Sequence, residues 1–142
     1  MKNILVVGGT GFVGQAILNE LTRRMTFAAT VPTRRREHTK ALTVLPRVKI
    51  VEADVHDSST LSRLMPGHDA VINLVGILHG DQGQPYGKRF RSAHVDLLRR
   101  IAAASAAAAV PRLLHMSALG VSADAPSMYL RSKAAGEAAL RE

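Results

Sequence analysis

Two residues near the end of the chain have the spacing of an acid/base pair. Tyr129 and Lys133 lie four positions apart in a segment whose pattern predicts a helix from Ser127 to Arg141, so both project from one helix face. A neighbouring ammonium favours the phenolate form of a tyrosine, which can then exchange a proton with a substrate oxygen. Ser117, just after an apolar segment, can polarise the same oxygen. A Tyr-x-x-x-Lys pattern alone is usually an ordinary surface pair, so its meaning depends on the elements that precede it.

A glycine-rich stretch near the start of the chain is the second candidate site. The apolar run Ile4–Val7 is followed by Gly8, Gly11 and Gly14 and by apolar residues at helical spacing, which predicts a strand, a tight turn and a helix. Such glycines let the chain leave the strand, let backbone N–H groups approach a diphosphate and let the helix pack on the strand. The helix N-terminus favours bound phosphate. The alternative is an ordinary strand-to-helix turn, but this context favours dinucleotide binding.

Composition bounds the class of protein. A chain of 142 residues fits one domain. The net charge of +8 indicates either a solvated arginine-rich surface or an anionic partner, such as a phosphate-bearing ligand, a membrane face or an acidic protein. Nucleic acid is disfavoured because aromatic residues make up only 4% of the chain. The absence of cysteine excludes disulfides and thiol catalysis. The histidines are scattered, so no metal site is predicted, and His115 is expected to be a satisfied core residue.

Apolar segments alternate with helical segments along the chain, and this organises the candidate residues. Strands are predicted at Lys2–Val7, Phe27–Val31, Val48–Val51, Ala70–Val75 and Leu113–Met116, and helices at 11–24, 58–64, 89–110 and 127–141, with Ser58 capping the second helix. This alternation predicts an α/β fold with a Rossmann-type, doubly wound parallel sheet of order 3-2-1-4-5. Because the first strand and turn begin at once, we expect no signal peptide. No segment has the roughly 18 consecutive apolar residues of a membrane span.

The residue about twenty positions beyond the glycine turn chooses between the two nicotinamide cofactors. An acidic residue there binds the ribose hydroxyls of NAD, whereas an arginine accommodates the 2′-phosphate of NADP. Counting twenty from Gly14 gives Arg34, and positions 31–36 contain three arginines and no acid. The sequence therefore favours NADP(H) over NAD(H), with a solvated basic loop as the alternative.

Polar residues after the third and fourth strands are candidates for the adenosine half. Asp54 can accept a hydrogen bond from an adenine amino group while Val55 packs on the base, or it can be a turn or capping aspartate. Gly76 lets the backbone pass close to a ribose, and Lys133 can hydrogen-bond that ribose. Asn73 either ties the fourth strand to a neighbouring loop or contacts the cofactor.

The ordered set of glycine triplet, five strands, Ser117, Tyr129 and Lys133 resembles the short-chain dehydrogenase/reductase superfamily, in its extended and atypical branches. The resemblance covers nearly the whole chain. More narrowly, residues 31–34, 71–76 and 129–137 are similar to the family of the 39 kDa accessory subunit of respiratory complex I and its bacterial relatives.

The resemblance implies a bound NADP(H) and assigns roles to individual residues. It implies phosphates at Thr10 to Val13, the 2′-phosphate near Arg34, adenine at Asp54 and Val55, and ribose at Leu74 to Gly76 and Lys133. The cofactor-binding residues are thus expected to be Gly8, Thr10, Gly11, Phe12, Val13, Gly14, Arg34, Asp54, Val55, Leu74, Val75, Gly76 and Lys133. Active members use a Ser-Tyr-Lys set that matches Ser117, Tyr129 and Lys133, often with an asparagine in the fourth helix, where this chain has His94.

The resemblance leaves the activity open. One hypothesis is an NADP-dependent oxidoreductase or nucleotide-sugar epimerase/dehydratase. The other, favoured by His94, is a nucleotide-binding protein without turnover, whose partner is a membrane-associated respiratory complex or a membrane surface. An empty Rossmann scaffold is a third alternative. We expect a cytoplasmic location, or one peripheral to the membrane, and homo-oligomers stay open. Family members continue into a sixth strand and a substrate-binding part, so residues 1–142 are expected to be the dinucleotide-binding domain without the substrate part.

Overall fold

The structure is a computed structural model that describes every residue from Met1 to Glu142. The chain divides into two compact units. The first contains Met1–Leu74 and Ala104–His115, and the second contains Val75–Ala103 and Met116–Glu142.

Five parallel strands form one sheet in the first unit. They are β1 (Lys2–Val7), β2 (Phe27–Thr33), β3 (Val48–Glu52), β4 (Ala70–Asn73) and β5 (Leu113–His115). The spatial order is β3-β2-β1-β4-β5, with every neighbouring pair parallel. The predicted fold class and strand order are thereby confirmed. β1 is central, and its residues Leu5, Val6 and Val7 are fully buried, as expected for a strand that is covered on both faces.

Short helical segments complete the first unit. They are α1 (Phe12–Arg23), a 3₁₀ turn (Arg36–Thr39), α2 (Lys40–Thr43) and α3 (Ser58–Leu64). Leu18 of α1 and Leu42 of α2 join Val6 and Val31 in one apolar cluster. Complete burial of one such leucine contributes about 1.5–3 kcal/mol, so this cluster anchors the element that carries the glycine turn.

The second unit consists of helices and the loops between them. It contains α4 (Lys88–Arg91), a π-helical segment (Ser92–Asp96), most of α5 (Leu97–Ala107) and α6 (Met128–Leu140). Helix α6 lies close to the π-helical segment at Gly136, where a Cβ atom would collide with the carbonyl oxygen of His94. Leu98 and Ile101 are fully buried. Close backbone packing therefore brings the helix of Tyr129 against the π-helical segment.

The predicted end of the second strand is wrong. β2 continues through Pro32, which is paired with Val51 of β3. A proline can lie in this strand because Thr30 is the last β2 residue paired with β1, so the missing N–H breaks no ladder hydrogen bond on that side.

The fourth and fifth strands are shorter than predicted. β4 ends at Asn73 rather than Val75, because its partner β1 ends at Val7, opposite Asn73, and turns into the glycine stretch. β5 ends at His115 rather than Met116.

Two helical predictions are corrected, and two short helical segments are added. Asp57, and not Ser58, caps α3, since its Oδ1 accepts the N–H of Ser59 at 3.0 Å. The 3₁₀ turn and α2 were not predicted, because four-residue segments show no periodicity. The predicted helix 89–110 contains the π-helical segment and ends at Ala107.

Candidate functional site

The glycine turn after β1 is built from close backbone approaches. Gly8 has a φ of 81°, a left-handed conformation that favours glycine. A Cβ atom at Gly14 would collide with the backbone of Gly9. A Cβ atom at Gly9 would lie 2.9 Å from a methyl carbon of Val31. Three of the four glycines are therefore required by the fold itself. Gly9 was not singled out by the spacing argument, although its place in the Gly-Gly pair was the available signal.

The first turn of α1 leaves hydrogen-bond donors unused. Gly11 occupies the N-cap position and has no capping side chain, and the first turn contains no acidic residue. The N–H of Gly11 donates to the carbonyl of Gly8, and the first helical hydrogen bond is donated by the N–H of Gln15. The amides of Phe12, Val13 and Gly14 have no protein acceptor, so this end of the helix can accept an anion.

Phe12 is 93% exposed, and its neighbours in the glycine turn are also accessible to solvent. Gly11 and Val13 are exposed and Thr10 is half-buried. The carbonyl of Thr10 accepts a hydrogen bond from the side-chain amide of Gln15 at 3.2 Å. That hydrogen bond holds the turn in shape without occupying the free amides.

Arg34 lies directly after β2, and its side chain is exposed. The hydroxyl of Thr33 accepts the N–H of Arg35 at 3.1 Å, which turns the chain at this point. No salt bridge engages Arg34, Arg35 or Arg36. Their guanidinium groups are thus available to an anionic ligand.

Asp54 forms a local turn after β3. Its Oδ1 accepts the N–H of His56 at 2.9 Å, and its carbonyl oxygen accepts the N–H of Asp57 at 3.2 Å. This is the turn aspartate of the alternative interpretation, but one carboxylate oxygen, Oδ2, keeps its acceptor capacity. Val55 beside it is half-buried. The adenine role of both residues stays a prediction.

Asn73 has a structural role at the end of β4. It is 1% exposed, and its side-chain nitrogen lies 3.2 Å from Nδ1 of His115 on β5. Directly after β4, the N–H of Leu74 donates a hydrogen bond of 2.8 Å to the carbonyl of Val7 in β1. The amide thus ties β4 to the adjacent strand β5 rather than only to a loop, and His115, which was predicted to be a core residue, is half-buried.

In the second unit, α6 begins at a capped N-terminus that carries the acid/base candidates. The hydroxyl of Ser127 accepts the N–H of Leu130 at 3.1 Å, which defines the first turn. Tyr129 and Lys133 follow on this helix, four residues apart. Lys133 is 3% exposed, and its ammonium donates a hydrogen bond of 2.7 Å to the carbonyl of Met116. Burial lowers the pKa of Lys133, and the negative charge of Glu137 partly opposes this.

The hydroxyl of Ser117 lies next to this contact in the chain. Its oxygen is buried and has no hydrogen-bond partner, and Ser117 follows Met116, the acceptor for Lys133. Two of the three hydrogens of that ammonium also lack a protein acceptor. Buried polar groups are normally paired, so an unpaired hydroxyl and an under-used ammonium fit a polar ligand. Ser117, Tyr129 and Lys133 all belong to the second unit.

Arg131 is a residue that the spacing argument missed. Its guanidinium donates hydrogen bonds to the carbonyls of Pro85 at 2.7 Å, Ala125 at 2.7 Å and Pro126 at 2.9 Å. It therefore fixes two loops to the helix turn between Tyr129 and Lys133. No sequence signal identifies these carbonyl acceptors, because they lie in irregular loops.

A pocket of about 290 Å³ lies elsewhere, at the amino ends of β1, β2 and β4. Lys2, Phe27, Asp69 and Arg112 contribute to its lining, and Lys2 is paired with Asp69 at 3.3 Å. Ligands of parallel sheets bind at the carboxyl ends of strands, whereas this pocket lies at the opposite ends of these strands from the glycine turn and Arg34. No group of three or more His, Asp or Glu side chains has metal-site geometry.

The family model described as NAD(P)H-binding matches residues 8–142, from the glycine turn to the end of the chain. The chain belongs to this NAD(P)H-binding family. Domains of this kind bind phosphate at the helix N-terminus that follows the glycine turn.

Curated relatives of this NAD(P)H-binding domain include subunits of a respiratory complex. The chain is 32% identical over 140 residues to "NADH dehydrogenase [ubiquinone] 1 alpha subcomplex subunit 9, mitochondrial" of Mus musculus, covering 96% of this chain and 36% of the relative. It is 27% identical over 139 residues to "NADH-ubiquinone oxidoreductase 40 kDa subunit, mitochondrial" of Neurospora crassa, with the same coverage. The resemblance to the 39 kDa subunit family is confirmed. The chain spans little more than a third of the length of these relatives.

Solved structures of extended sugar-nucleotide enzymes share the fold. A UDP-glucuronic acid 4-epimerase from Bacillus cereus in complex with NAD superposes with a TM-score of 0.78 at 20% identity, covering 98% of this chain and 51% of that one. A dTDP-glucose 4,6-dehydratase from Streptomyces venezuelae with NAD bound superposes with a TM-score of 0.78 at 24% identity, covering 96% and 49%. No helix of the domain has the length and hydropathy needed to span a membrane.

Proposed function

We propose that this domain binds NADP(H) and serves as the nucleotide-binding part of a respiratory-complex protein. The observation that carries the proposal is the first turn of α1, whose free amides follow a glycine turn and which contains no acidic residue. Three N–H donors and the helix dipole suit a diphosphate. We assign the diphosphate of the dinucleotide to the residues from Gly8 to Gly14.

Arg34 is the residue that we expect to select NADP over NAD. Its exposed guanidinium follows β2 and makes no salt bridge, and arginine binds phosphate with two parallel hydrogen bonds. We assign adenine to Asp54 and Val55, and ribose to Leu74, Val75, Gly76 and Lys133. When bound, the dinucleotide supplies hydride exchange at its nicotinamide ring.

Calorimetric titration with NADPH and with NADH tests this assignment. Loss of a charge-assisted hydrogen bond costs about 1.5–3 kcal/mol, so Arg34→Ala should weaken NADPH binding by about 10- to 100-fold. NADH binding should change little. Arg36→Ala removes the same charge two residues away and is the matched control. Equal losses in the two variants, or a wild-type preference for NADH, would contradict the role of Arg34.

A second candidate function is catalysis of the oxidoreductase or nucleotide-sugar epimerase/dehydratase type. The unpaired buried hydroxyl of Ser117 and the buried ammonium of Lys133 favour it. In this mechanism Tyr129 exchanges a proton with a substrate oxygen, Ser117 holds that oxygen by a hydrogen bond, and Lys133 favours the phenolate.

Turnover distinguishes the two functions. The test follows oxidation of NADPH with a panel of carbonyl compounds and conversion of nucleotide sugars. Catalysis predicts that Tyr129→Phe loses turnover and keeps dinucleotide affinity, whereas Tyr86→Phe, the change at the other tyrosine of the chain, keeps both. A dinucleotide that stays bound and is not turned over supports the respiratory-complex role. Turnover that survives Tyr129→Phe would rule out the acid/base assignment.

The proposed partner is a respiratory complex at a membrane, as the names of the curated relatives suggest. The net charge of +8 suits an acidic protein surface or an anionic membrane face. Size-exclusion chromatography with light scattering tests the alternative of self-association, since a stable homodimer at micromolar concentration would favour an independent enzyme.

A further inference from the structure

His94 stands at the centre of a hydrogen-bonded chain inside the second unit. It is 1% exposed and lies in the π-helical segment. Its Nε2 accepts the backbone N–H of Ile77 at 3.0 Å, and its Nδ1 lies 2.8 Å from the hydroxyl of Ser132 on α6. Single-turn π bulges occur frequently at functional sites, and here the segment brings an imidazole between a loop and a helix.

The hydrogen bonds determine the tautomer of this imidazole. A backbone amide can only donate, so Nε2 must carry a lone pair. In a neutral ring the proton is then on Nδ1, and it is donated to the oxygen of Ser132. The hydroxyl of Ser132 donates in turn to the carbonyl of Tyr129 at 2.8 Å. Every donor along this chain therefore faces an acceptor.

The same imidazole lies close to two of the residues to which we assign ligand contacts in this unit, Gly76 and Tyr129. A Cβ atom at Gly76 would lie 3.6 Å from Nε2 of His94, so the loop passes close to the Nε2 edge of the ring. The ring of Tyr129 packs edge-to-face against it, with centroids 5.5 Å apart and planes at 84°. His94 thus fixes the loop before Ile77 and the first turn of α6 from one position.

We propose that His94 is a positioning residue that, as the neutral Nδ1–H tautomer, joins the loop at Gly76 and Ile77 to the Tyr129 turn of α6. The inference rests on the proposed function for what the positioned groups bind, but its hydrogen bonds do not depend on any ligand. It gives His94 a role of its own rather than that of an inert replacement for asparagine.

Two tests use the ligand-free 142-residue protein. Nitrogen-15 NMR of the wild-type imidazoles should show His94 neutral with its proton on Nδ1 at neutral pH, and an Nε2–H tautomer or an imidazolium would overturn the proposal. Amide hydrogen exchange then distinguishes the hydrogen bond at Nε2 of His94 from the one at Nδ1. Gln keeps an acceptor at the Nε2 position and Asn keeps a donor at the Nδ1 position, so the Ile77 amide should exchange about tenfold faster in His94→Asn than in His94→Gln.

Equal Ile77 exchange in the two variants would overturn the proposal, because a packing role alone does not distinguish them. The control is His79→Gln, which changes an exposed histidine two residues after Ile77. It should leave the exchange of the Ile77 amide unchanged. If the variants fail to fold, the tautomer of His94 in the wild-type protein still tests the proposal. NADPH affinity is the final readout, and we expect about a tenfold loss in His94→Asn. Wild-type protein that binds no NADPH would refute the proposed function, whereas NADPH binding unaffected in both variants would refute the positioning role.

Discussion

The ammonium of Lys133 donates a 2.7 Å hydrogen bond to the carbonyl of Met116, the residue before Ser117. This contact holds the segment that precedes Ser117 against α6, and the hydroxyl oxygen of Ser117 is itself buried without a hydrogen-bond partner. A charge in such a place costs folding free energy unless it is paired. We infer that the protein tolerates this folding cost because the ammonium of Lys133 takes part in ligand binding.

The free energy of unfolding should rise with pH on the alkaline side because of Lys133. Burial lowers its folded pKa below the ordinary 10.5, so between these two values the unfolded chain binds more protons than the folded one. Stability then increases as pH rises through that window. Urea denaturation from about pH 8 to about pH 10.5 should show this increase relative to Lys133→Met, which cannot titrate. The exposed Lys40→Met is the control, and a Lys133→Met curve parallel to wild type would contradict the prediction.

Gly14→Ala and Gly11→Ala should separate folding from binding. The Cβ atom of Gly14→Ala collides with the backbone of Gly9, whereas that of Gly11→Ala has its nearest neighbour at 3.5 Å. We expect Gly14→Ala to lose about 1–3 kcal/mol or more of stability. Gly11→Ala should fold and bind NADPH more weakly, because its methyl group lies beside the free amides. Thermal unfolding and calorimetry measure the two effects, and equal Tm values for the two variants would contradict the packing argument.

Ala109→Gly should stabilise the domain. Ala109 has a φ of 53° after the end of α5, and the N–H groups of Ala109 and Val110 donate to the carbonyls of Ala106 and Ser105. This is a Schellman motif whose left-handed position favours glycine, so we expect a gain of about 0.5–1 kcal/mol in the free energy of unfolding.

Arg47→Gly is the matched comparison for that change. Arg47 has a φ of 61°, but its guanidinium donates hydrogen bonds to the carbonyls of Phe27 and Thr22. Relief of backbone strain is offset by the loss of both bonds, so this variant should be less stable than wild type. Chemical denaturation of both variants checks the pair, and a gain from Arg47→Gly would show that the hydrogen bonds contribute little.

Asp81 should make the domain sensitive to acid. Its carboxylate accepts the backbone N–H groups of Arg89 at 2.8 Å and Lys88 at 3.0 Å, which caps α4 from the preceding loop. The bond from Arg89 holds the pKa of Asp81 below the ordinary 3.8. The stabilisation that ionised Asp81 contributes is therefore fully present above pH 3.8 and is lost as the pH falls through the folded pKa.

Asp81→Asn should remove that part of the acid dependence. The measurement is the Tm between neutral pH and about pH 3, with the exposed Asp124→Asn as the control. An unchanged acid limb in Asp81→Asn would contradict the prediction, because it would mean that protonation of Asp81 does not affect stability.

The sequence by itself determined the strand order and the glycine turn. Apolar runs without alternation identify buried parallel strands, and their alternation with helices leaves few permitted topologies. Glycine is required at positions 8 and 14 by the tight turn and the close helix packing that the spacing of the glycines predicts. The candidate residues after each strand were also readable, because parallel strands end at the same edge of a sheet, although their ligand contacts stay predictions.

Only the tertiary structure decided which polar atoms meet. The bond from Lys133 to Met116 joins residues 17 apart, and that from His94 to Ser132 joins residues 38 apart. Such pairs depend on how two packed backbones orient their side chains, which helical or strand periodicity does not specify. The same reason hid the strand position of Pro32, which is permitted only because β1 has already ended its pairing at that level.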